Sequence, residues 1–275
     1  MTDTRKQSVT SYYDSVARDY DDAFYRRPDP YPPLQYRHRH ILNLLEEELP
    51  ATGAVVLDIG CGPGEMAADL AKRGWRVHGI DISSSMIDIA RKNVRSALGD
   101  YSDVTLGVGD IENLPFPDAF FDAVVCAGVI EYLDGDEAWA RELRRVLKPG
   151  GILVINVTNR WAVRRWSLPV MERFKSLPII ASAADFIKRR MLGRGEVNRF
   201  PFRPRTHDPR AFDRFLGAHG FEKIGHRYFA FSLMPYPLDT LLSGITVPIR
   251  RRLERHAEGR LGFWGTGYIV KVRRV

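Results

Sequence analysis

Short apolar runs recur along the first 157 residues, separated by polar and glycine-rich stretches. The first three runs are followed by glycine or aspartate, and the fourth ends in glycine. A helix-like stretch at 65–72 follows the first run, and a Pro-Gly-Gly turn at 149–151 ends a helix before the fifth run. Runs of this kind are typical of buried strands. The pattern predicts five strands, at 56–59, 75–80, 104–108, 121–128 and 152–157.

Helical spacing dominates before the first strand. Four residues fall at i, i+3, i+4 and i+7 and would share one helix face: Tyr13, Val16, Ala17 and Tyr20. A proline-rich joint at 28–33 then leads into a predicted helix at 34–49. After the fifth strand, the sequence predicts a helix at 209–219, a sixth strand at 220–228 and a final strand within 262–272.

Composition is consistent with one α/β domain with insertions. The chain has 275 residues and 44% hydrophobic content, which is enough for a sizeable core. Residues 1–20 are polar and charged, unlike a signal segment, and no apolar run approaches the roughly 20 residues that span a bilayer. Two cysteines, Cys61 and Cys126, would be reduced thiols rather than a disulfide. We therefore expect a cytoplasmic protein.

The turn after the first strand carries the most informative pattern. Asp58 precedes three glycines at alternate positions, Gly60, Gly62 and Gly64. Glycine lets the backbone turn sharply and approach a ligand closely, because it has no Cβ. The turn opens onto a helix N-terminus, which favours an anionic group. The pattern indicates a nucleotide site, although a purely structural turn remains an alternative, and the spacing differs from the Gly-x-Gly-x-x-Gly of dinucleotide-binding dehydrogenases.

Acids also follow the second and third strands. Asp81 lies at the end of the second strand, where a carboxylate can accept both hydroxyls of a ribose. Asp110 follows the third strand and could accept a hydrogen bond from an adenine amino group. These positions point to a nucleoside-containing ligand.

The stretch 55–157 resembles the class I S-adenosylmethionine-dependent methyltransferases of the small-molecule type. Five ordered motifs carry the resemblance, including Val-Leu-Asp-Ile-Gly-Cys-Gly-Pro-Gly at 56–64 and Leu-Lys-Pro-Gly-Gly at 147–151. The resemblance implies an α/β fold with a Rossmann-like, doubly wound, seven-stranded sheet. Its last strand would join the sheet edge antiparallel, and a helical lid would be inserted after the fifth strand.

The resemblance also implies a cofactor, S-adenosylmethionine, and the residues that hold it. Asp58 and the glycines would lie against the methionine part, Asp81 against the ribose, and Asp110 beside the adenine. Met86 matches the Asp-x-Ser-x-x-Met pattern of the family. The full predicted cofactor set is Tyr20, Asp58, Gly60, Cys61, Gly62, Gly64, Asp81, Ile82, Met86, Asp110, Ile111 and Cys126.

The N-terminal helix resembles the Tyr-Asp-x-x-Ala-x-x-Tyr-Asp segment that covers the cofactor in such enzymes. On that resemblance Tyr20 would touch the cofactor and Tyr13 the acceptor pocket; simple packing of two tyrosines is the alternative. Tyr132 and His207 are the other predicted substrate contacts, and they are also the catalytic candidates. His207 has a structural alternative, because Thr206 or Asp208 could cap the helix that Pro209 begins.

Charge is distributed unevenly over four predicted segments. These are N-terminal covering helices at 1–50, the cofactor-binding core at 51–158, a lid at 159–205, and a C-terminal part at 206–275 with a helical insertion near 235–260. The lid holds 12 basic and 3 acidic residues, a net charge of +9, whereas the whole chain carries +7. The charge of the remainder is therefore slightly negative.

The basic lid and the stretch 235–256 both mix arginines with large apolar residues. Such a mixture suits an anionic membrane surface or an amphipathic substrate. Packed amphipathic helices whose arginines extend into water are the ordinary alternative. A nucleic-acid groove is a third interpretation, but the segment after the fourth strand lacks the Asp/Asn-Pro-Pro-Tyr turn of enzymes that methylate amino groups of nucleic acids.

The same segment argues against a metal site. Ubiquinone-pathway O-methyltransferases carry Glu-x-x-Glu-His there, whereas this chain has Gly128, Glu131 and Tyr132. We therefore predict an enzyme that transfers methyl groups to a small-molecule or amphipathic, lipid or lipid-linked, acceptor without a metal, and that associates peripherally with membranes. RNA methylation and non-catalytic cofactor binding remain the alternatives. The methylated atom and the oligomeric state stay open.

Overall fold

The computed structural model describes residues 3–21, 29, 31–99, 103–162, 203–234, 238–259, 262 and 264–275. The predicted lid at 159–205 and the proline-rich joint at 28–33 therefore lie largely or partly outside the described residues. Within them, no helix is long and apolar enough to cross a membrane.

Seven strands form one mixed sheet, as the family resemblance implied. The strands are β1 (Val55–Ile59), β2 (Arg76–Asp81), β3 (Val104–Val108), β4 (Phe121–Cys126), β5 (Leu147–Thr158), β6 (Phe221–Phe231) and β7 (Gly265–Arg274). Their order is β3-β2-β1-β4-β5-β7-β6, with β1 to β5 parallel and β7 antiparallel to both of its neighbours. The order reverses at β1, which makes the fold doubly wound.

The position of β7 corrects one expectation. It lies between β5 and β6 rather than at the sheet edge, which β6 occupies. Seven of the ten residues of β7 are buried, as befits an interior strand covered on both faces. Most side chains of β6 are partly or fully exposed, as expected at an edge.

Eight helices and one 3₁₀ turn, Ile130–Tyr132, are found in the described ranges. The helices are α1 (Asp3–Asp21), α2 (Pro33–Glu46), α3 (Glu65–Ala71), α4 (Ser84–Leu98), α5 (Glu137–Val146), α6 (Pro209–Ala218), α7 (Leu238–Leu241) and α8 (Ser243–Glu254). Capping explains two of the boundaries. The Ser83 hydroxyl accepts the Met86 N–H at 3.1 Å, and Asp208 accepts N–H groups at the start of α6.

Apolar layers cover both faces of the sheet. Neighbouring residues of β1 point to opposite faces, so that Leu57 packs in the layer of Trp139 while Val56 packs in the layer of Trp75. Ile41 of α2 lies in the second layer and is fully buried. The double cover explains why the strands read as continuous apolar runs.

The fifth strand begins earlier than the Pro-Gly-Gly turn predicts. Strand β5 starts at Leu147, opposite Phe121, whereas Ile152 pairs with Ala123. Two steps along β4 thus correspond to five along β5, and the intervening residues form an irregular bulge. The Lys148 ammonium group anchors this bulge by an ion pair of 2.6 Å with Asp122.

Candidate active site

A cavity of about 280 Å³ lies at the carboxyl ends of β1, β2, β3 and β4, under helix α1. This is the edge at which the strand order reverses, where open α/β sheets bind ligands. Eleven residues predicted from the sequence line it: Tyr13, Tyr20, Gly60, Cys61, Gly62, Asp81, Ile82, Met86, Asp110, Ile111 and Tyr132.

The glycine loop bends over the end of β2. The N–H groups of Gly60 and Cys61 both donate to the Ile80 carbonyl, at 2.8 and 3.0 Å. Gly60 and Gly62 have φ values of +66° and +51°, which glycine adopts most easily. A Cβ on Gly60 would overlap Val129, whereas a Cβ on Gly62 would meet no heavy atom within 4 Å. The loop thus leaves open space beside Gly62 that a ligand can fill.

Asp81 joins the two loops that form the floor of the cavity. Its carboxylate accepts the Gly62 N–H at 3.0 Å and the Ser83 N–H at 2.9 Å. Burial raises the pKa of Asp81, against the effect of these backbone hydrogen bonds. A carboxylate has about four acceptor positions, so Asp81 retains capacity for hydroxyl groups of a ligand.

Helix α1 is attached to the rim of the cavity at two points. Asp14 accepts hydrogen bonds from the Ser83 hydroxyl at 2.6 Å and the Ser85 N–H at 3.2 Å. Lys6 makes an ion pair of 2.6 Å with Asp110. These contacts hold the tyrosines of α1 over the cavity. The ion pair also means that the Asp110 carboxylate is already bonded to Lys6. An adenine amino group would have to share this carboxylate with Lys6.

Three predicted cofactor residues lie beneath the cavity wall rather than in it. Asp58 is fully buried, and burial together with the charge of Asp81 raises its pKa to about 7. A Cβ on Gly64 would lie 3.0 Å from Ala90, so close packing of α3 on α4 explains this glycine. Cys126 is buried at the end of β4, and burial raises the pKa of its thiol.

His207 does not line the cavity. Its Nε2 atom lies 3.6 Å from Asp136 and 3.5 Å from Arg205, and its ring packs edge-on against Phe212. Asp208 caps α6, as in the structural alternative for this segment. The geometry places His207 in a polar cluster beside the site, and its catalytic role remains a prediction.

The sequence analysis missed two cations that line the cavity, Lys6 and Arg37. Arg37 lies on the same face of α2 as Leu34 and Ile41, at spacings of three and four residues. A cation on an otherwise apolar helix face was therefore the sequence signal that could have identified Arg37 as a site residue. The Nη1 atom of Arg37 lies 2.8 Å from the position that a Cβ would take on Gly128.

Comparisons with known proteins agree with this geometry. A family model described as a methyltransferase domain matches residues 57–155. The malonyl-[acyl-carrier protein] O-methyltransferase of Erwinia pyrifoliae is 32% identical over 205 residues, which are 71% of this chain and 71% of that protein. The chain belongs to the class I S-adenosylmethionine-dependent methyltransferases.

Two further similarities place this methyltransferase among its relatives. A ubiquinone biosynthesis O-methyltransferase of Coxiella burnetii is 31% identical over 119 residues, which cover 43% of this chain and half of that protein. A crystal structure of magnesium protoporphyrin IX methyltransferase from Synechocystis PCC 6803 with bound SAH superimposes with a TM-score of 0.67, over 98% of this chain and 100% of that one, at 18% identity. The second similarity concerns the fold alone.

The cofactor of this methyltransferase is S-adenosylmethionine, and the residues of the cavity fit it. The space beside Gly62 and the acceptor capacity of Asp81 suit a polar nucleoside, and Ile82 and Ile111 provide apolar walls for a base. The positive charge of Arg37 suits the carboxylate of the methionine part. When bound, the cofactor supplies an electrophilic methyl group on a sulfonium sulfur.

Two tyrosines and one acid also line the cavity, namely Tyr13, Tyr132 and Glu131. The rings of Tyr13 and Tyr132 are 5.9 Å apart and edge-to-face, and their hydroxyls are hydrogen-bonded to each other. Burial, then the negative charge of Glu131, raises the pKa of Tyr132 to about 12, and burial raises the pKa of Tyr13 further. Both hydroxyls therefore stay protonated at neutral pH. They can orient an acceptor by hydrogen bonds.

We predict that turnover by this methyltransferase does not require a divalent metal. The reason is that Gly128 and Tyr132 replace the first acid and the histidine of the Glu-x-x-Glu-His pattern. EDTA treatment should leave the rate of methyl transfer unchanged, and added magnesium should not raise it. Loss of activity with EDTA and full recovery with magnesium would contradict the prediction.

Proposed function

We propose that this methyltransferase modifies a small amphipathic, lipid-like acceptor and works in peripheral association with a membrane. The observation that supports this most directly is the set of apolar side chains that line the cavity together with Tyr13 and Tyr132, namely Val9, Leu34 and Leu133. An apolar wall with few polar groups suits a substrate that carries an alkyl or prenyl portion. The strongly basic composition of 159–205 adds an attraction for anionic surfaces.

On this proposal, the chain contributes position and dehydration rather than covalent chemistry. Helix α1 excludes water from above the cavity, and the protonated hydroxyls of Tyr13 and Tyr132 orient the acceptor heteroatom. Glu131 lines the same cavity, is buried and contributes negative charge beside Tyr132. Correct alignment in a water-excluded site accounts for much of the acceleration in bimolecular transfers.

The acceptor class is tested with a series of compounds that share a methylatable head group. One compound has no tail, one carries a medium alkyl chain and one carries a long prenyl chain. We expect kcat/KM to rise with the chain at a fixed head group, by about tenfold or more between the extremes, because each buried methylene stabilises the complex. Equal turnover of the tail-less compounds would overturn the proposal. The same assay is run on RNA with S-adenosylmethionine that carries a labelled methyl group. Label in RNA and none in these acceptors would favour RNA methylation as the function.

Arg37 provides a separate prediction on cofactor recognition. Changing Arg37→Met should weaken binding of S-adenosylmethionine by about 1.5–3 kcal/mol, the usual value of a hydrogen bond to a charged group. Binding of 5′-methylthioadenosine should be unchanged, because it lacks the carboxylate that we assign to Arg37. Calorimetry with both ligands measures the difference.

The matched control is Arg39→Met, on the same helix but exposed and outside the cavity. It should bind both ligands like the unaltered protein. An equal loss of both ligands in Arg37→Met would mean that Arg37 supports the fold of the site rather than the carboxylate.

A further inference from the structure

Helices α7 and α8 present a row of exposed apolar side chains. Leu238, Leu242, Ile245 and Ile249 are 47%, 40%, 66% and 47% exposed, and they make up four of the seven large apolar residues that are exposed in the described part of the chain. Leu242 connects the two helices, since its N–H donates to Leu238 and its carbonyl accepts from Ile245 and Thr246. Their spacings of four, three and four residues align them. We call this row the apolar stripe.

The inward side of α8 carries polar groups that are bonded to the protein, beside the buried Val247. Thr246 donates its hydroxyl hydrogen to the Asp239 carbonyl at 2.9 Å, and Arg250 donates to the Phe231 carbonyl at 2.6 Å. Glu254 is buried and accepts from Tyr31 and from the Ala230 N–H. Surface helices ordinarily turn their apolar face inward. Helix α8 buries Val247 but leaves Ile245 and Ile249 exposed, and its hydrogen bonds fix that orientation.

A basic cleft of about 700 Å³ lies between α2 and α8. Its four arginines are Arg39, Arg227, Arg251 and Arg255. Its two acids pair with residues of the same cleft, Glu254 with His40 and Glu258 with Arg227, so the four arginines outnumber the acids. Arg252, next to the stripe, is also exposed. Arg252 follows Ile249 by three residues and so places positive charge next to the stripe, whereas the cleft carries its arginines on another side of the same helix.

We propose that the apolar stripe and its arginines dock on an anionic lipid bilayer, an inference that rests on the proposed function. The stripe would enter the interface between head groups and acyl chains, while the arginines bind lipid phosphates. A second copy of the chain fits less well. A two-fold contact through the stripe would bring the arginines of both copies together.

Helix α2 links this surface to the catalytic cavity. Arg37 lines the cavity, whereas Tyr36, Arg39 and His40 of the same helix line the basic cleft. If α8 docks on the bilayer, only helix α2 separates the basic cleft from the catalytic cavity. An amphipathic acceptor could then reach the active site without crossing bulk water.

Co-sedimentation of the full chain with vesicles tests the surface. Vesicles of phosphatidylcholine alone are compared with vesicles that also contain phosphatidylglycerol, at low and moderate salt. We expect binding to the anionic vesicles only, and a loss of about tenfold or more in the variant Ile245→Ser/Ile249→Ser. Arg251→Gln/Arg252→Gln should weaken binding and reduce its dependence on salt.

Matched controls separate the surface from general effects. Val275→Ser removes an equally exposed apolar side chain elsewhere, and Arg91→Gln/Lys92→Gln removes two exposed charges on α4. Both should bind vesicles like the unaltered protein. Thermal unfolding and affinity for S-adenosylmethionine should be unchanged in all variants, because none of these residues lines the catalytic cavity.

The proposal fails if the stripe variant binds anionic vesicles as well as the unaltered protein, or if neutral vesicles bind equally well. It also fails if the protein ignores vesicles and instead dimerises, or captures another protein, through the stripe. The proposed function is judged separately by the acceptor series in the absence of vesicles. Tail-independent turnover combined with stripe-dependent vesicle binding would refute the acceptor class and leave the docking surface standing.

Discussion

Replacing Asp81 by alanine is expected to weaken binding of S-adenosylmethionine by about 1.5–3 kcal/mol, which is roughly 10- to 150-fold. Two effects combine in this loss. The predicted hydrogen bonds to the ribose disappear, and the N–H groups of Gly62 and Ser83 lose the carboxylate that joins the two loops. Isothermal titration calorimetry with S-adenosylmethionine and its demethylated product measures the change directly.

Two variants show whether the loss comes from the ribose contact. Asp81→Asn keeps one carbonyl oxygen in place and should bind with intermediate affinity. Asp88→Ala removes a carboxylate that is exposed on α4 and should bind normally. Unchanged affinity in Asp81→Ala would show that the ribose assignment is wrong.

The sequence was sufficient to predict the floor of this site because parallel strands bring their carboxyl ends to one edge. Asp81 and Asp110 are far apart in the chain, but each follows a predicted strand, so that both were expected near the glycine loop. The structure places both in the lining of one cavity with Gly60 and Gly62. Local pattern and sheet topology together carry that information.

Contacts between distant elements were not predictable in the same way. The apolar spacing of α2 indicates that Arg37 lies on the buried face of the helix. It does not indicate which strand ends the Arg37 side chain contacts. Likewise, the ion pair between Lys6 and Asp110 joins α1 to a loop that is remote in sequence. The environment of His207 depends on Asp136 in another part of the chain. Each of these contacts is set by tertiary packing rather than by local spacing.

Strand β7 illustrates the same limit at the level of the fold. Its alternation and apolar content identify a strand, but its insertion between β5 and β6 depends on pairing with both. The orientation of α8 is a related case. Arginines and aliphatic residues in 235–256 indicate an amphipathic helix, but only the bonds of Arg250 and Glu254 show which face is turned toward the protein.

Changing Gly62→Val should nearly abolish cofactor binding, with a loss of at least about 3 kcal/mol, because a branched side chain would occupy the space intended for the ligand. The free protein contains no heavy atom within 4 Å of the added Cβ. The stability cost should therefore be limited to the backbone, about 1–2 kcal/mol for a left-handed conformation at φ +51°. Calorimetry gives the affinity, and urea unfolding without ligand gives the stability.

The control for backbone strain is Gly150→Val. Gly150 has φ +77° and also offers open space to a Cβ, but it lies in β5, outside the cavity. The two variants should lose similar stability, whereas only Gly62→Val should lose S-adenosylmethionine. If both bound the cofactor normally, the space beside Gly62 would not be the cofactor site. If Gly62→Val lost far more stability than Gly150→Val, unfolding rather than steric exclusion would explain its loss of binding.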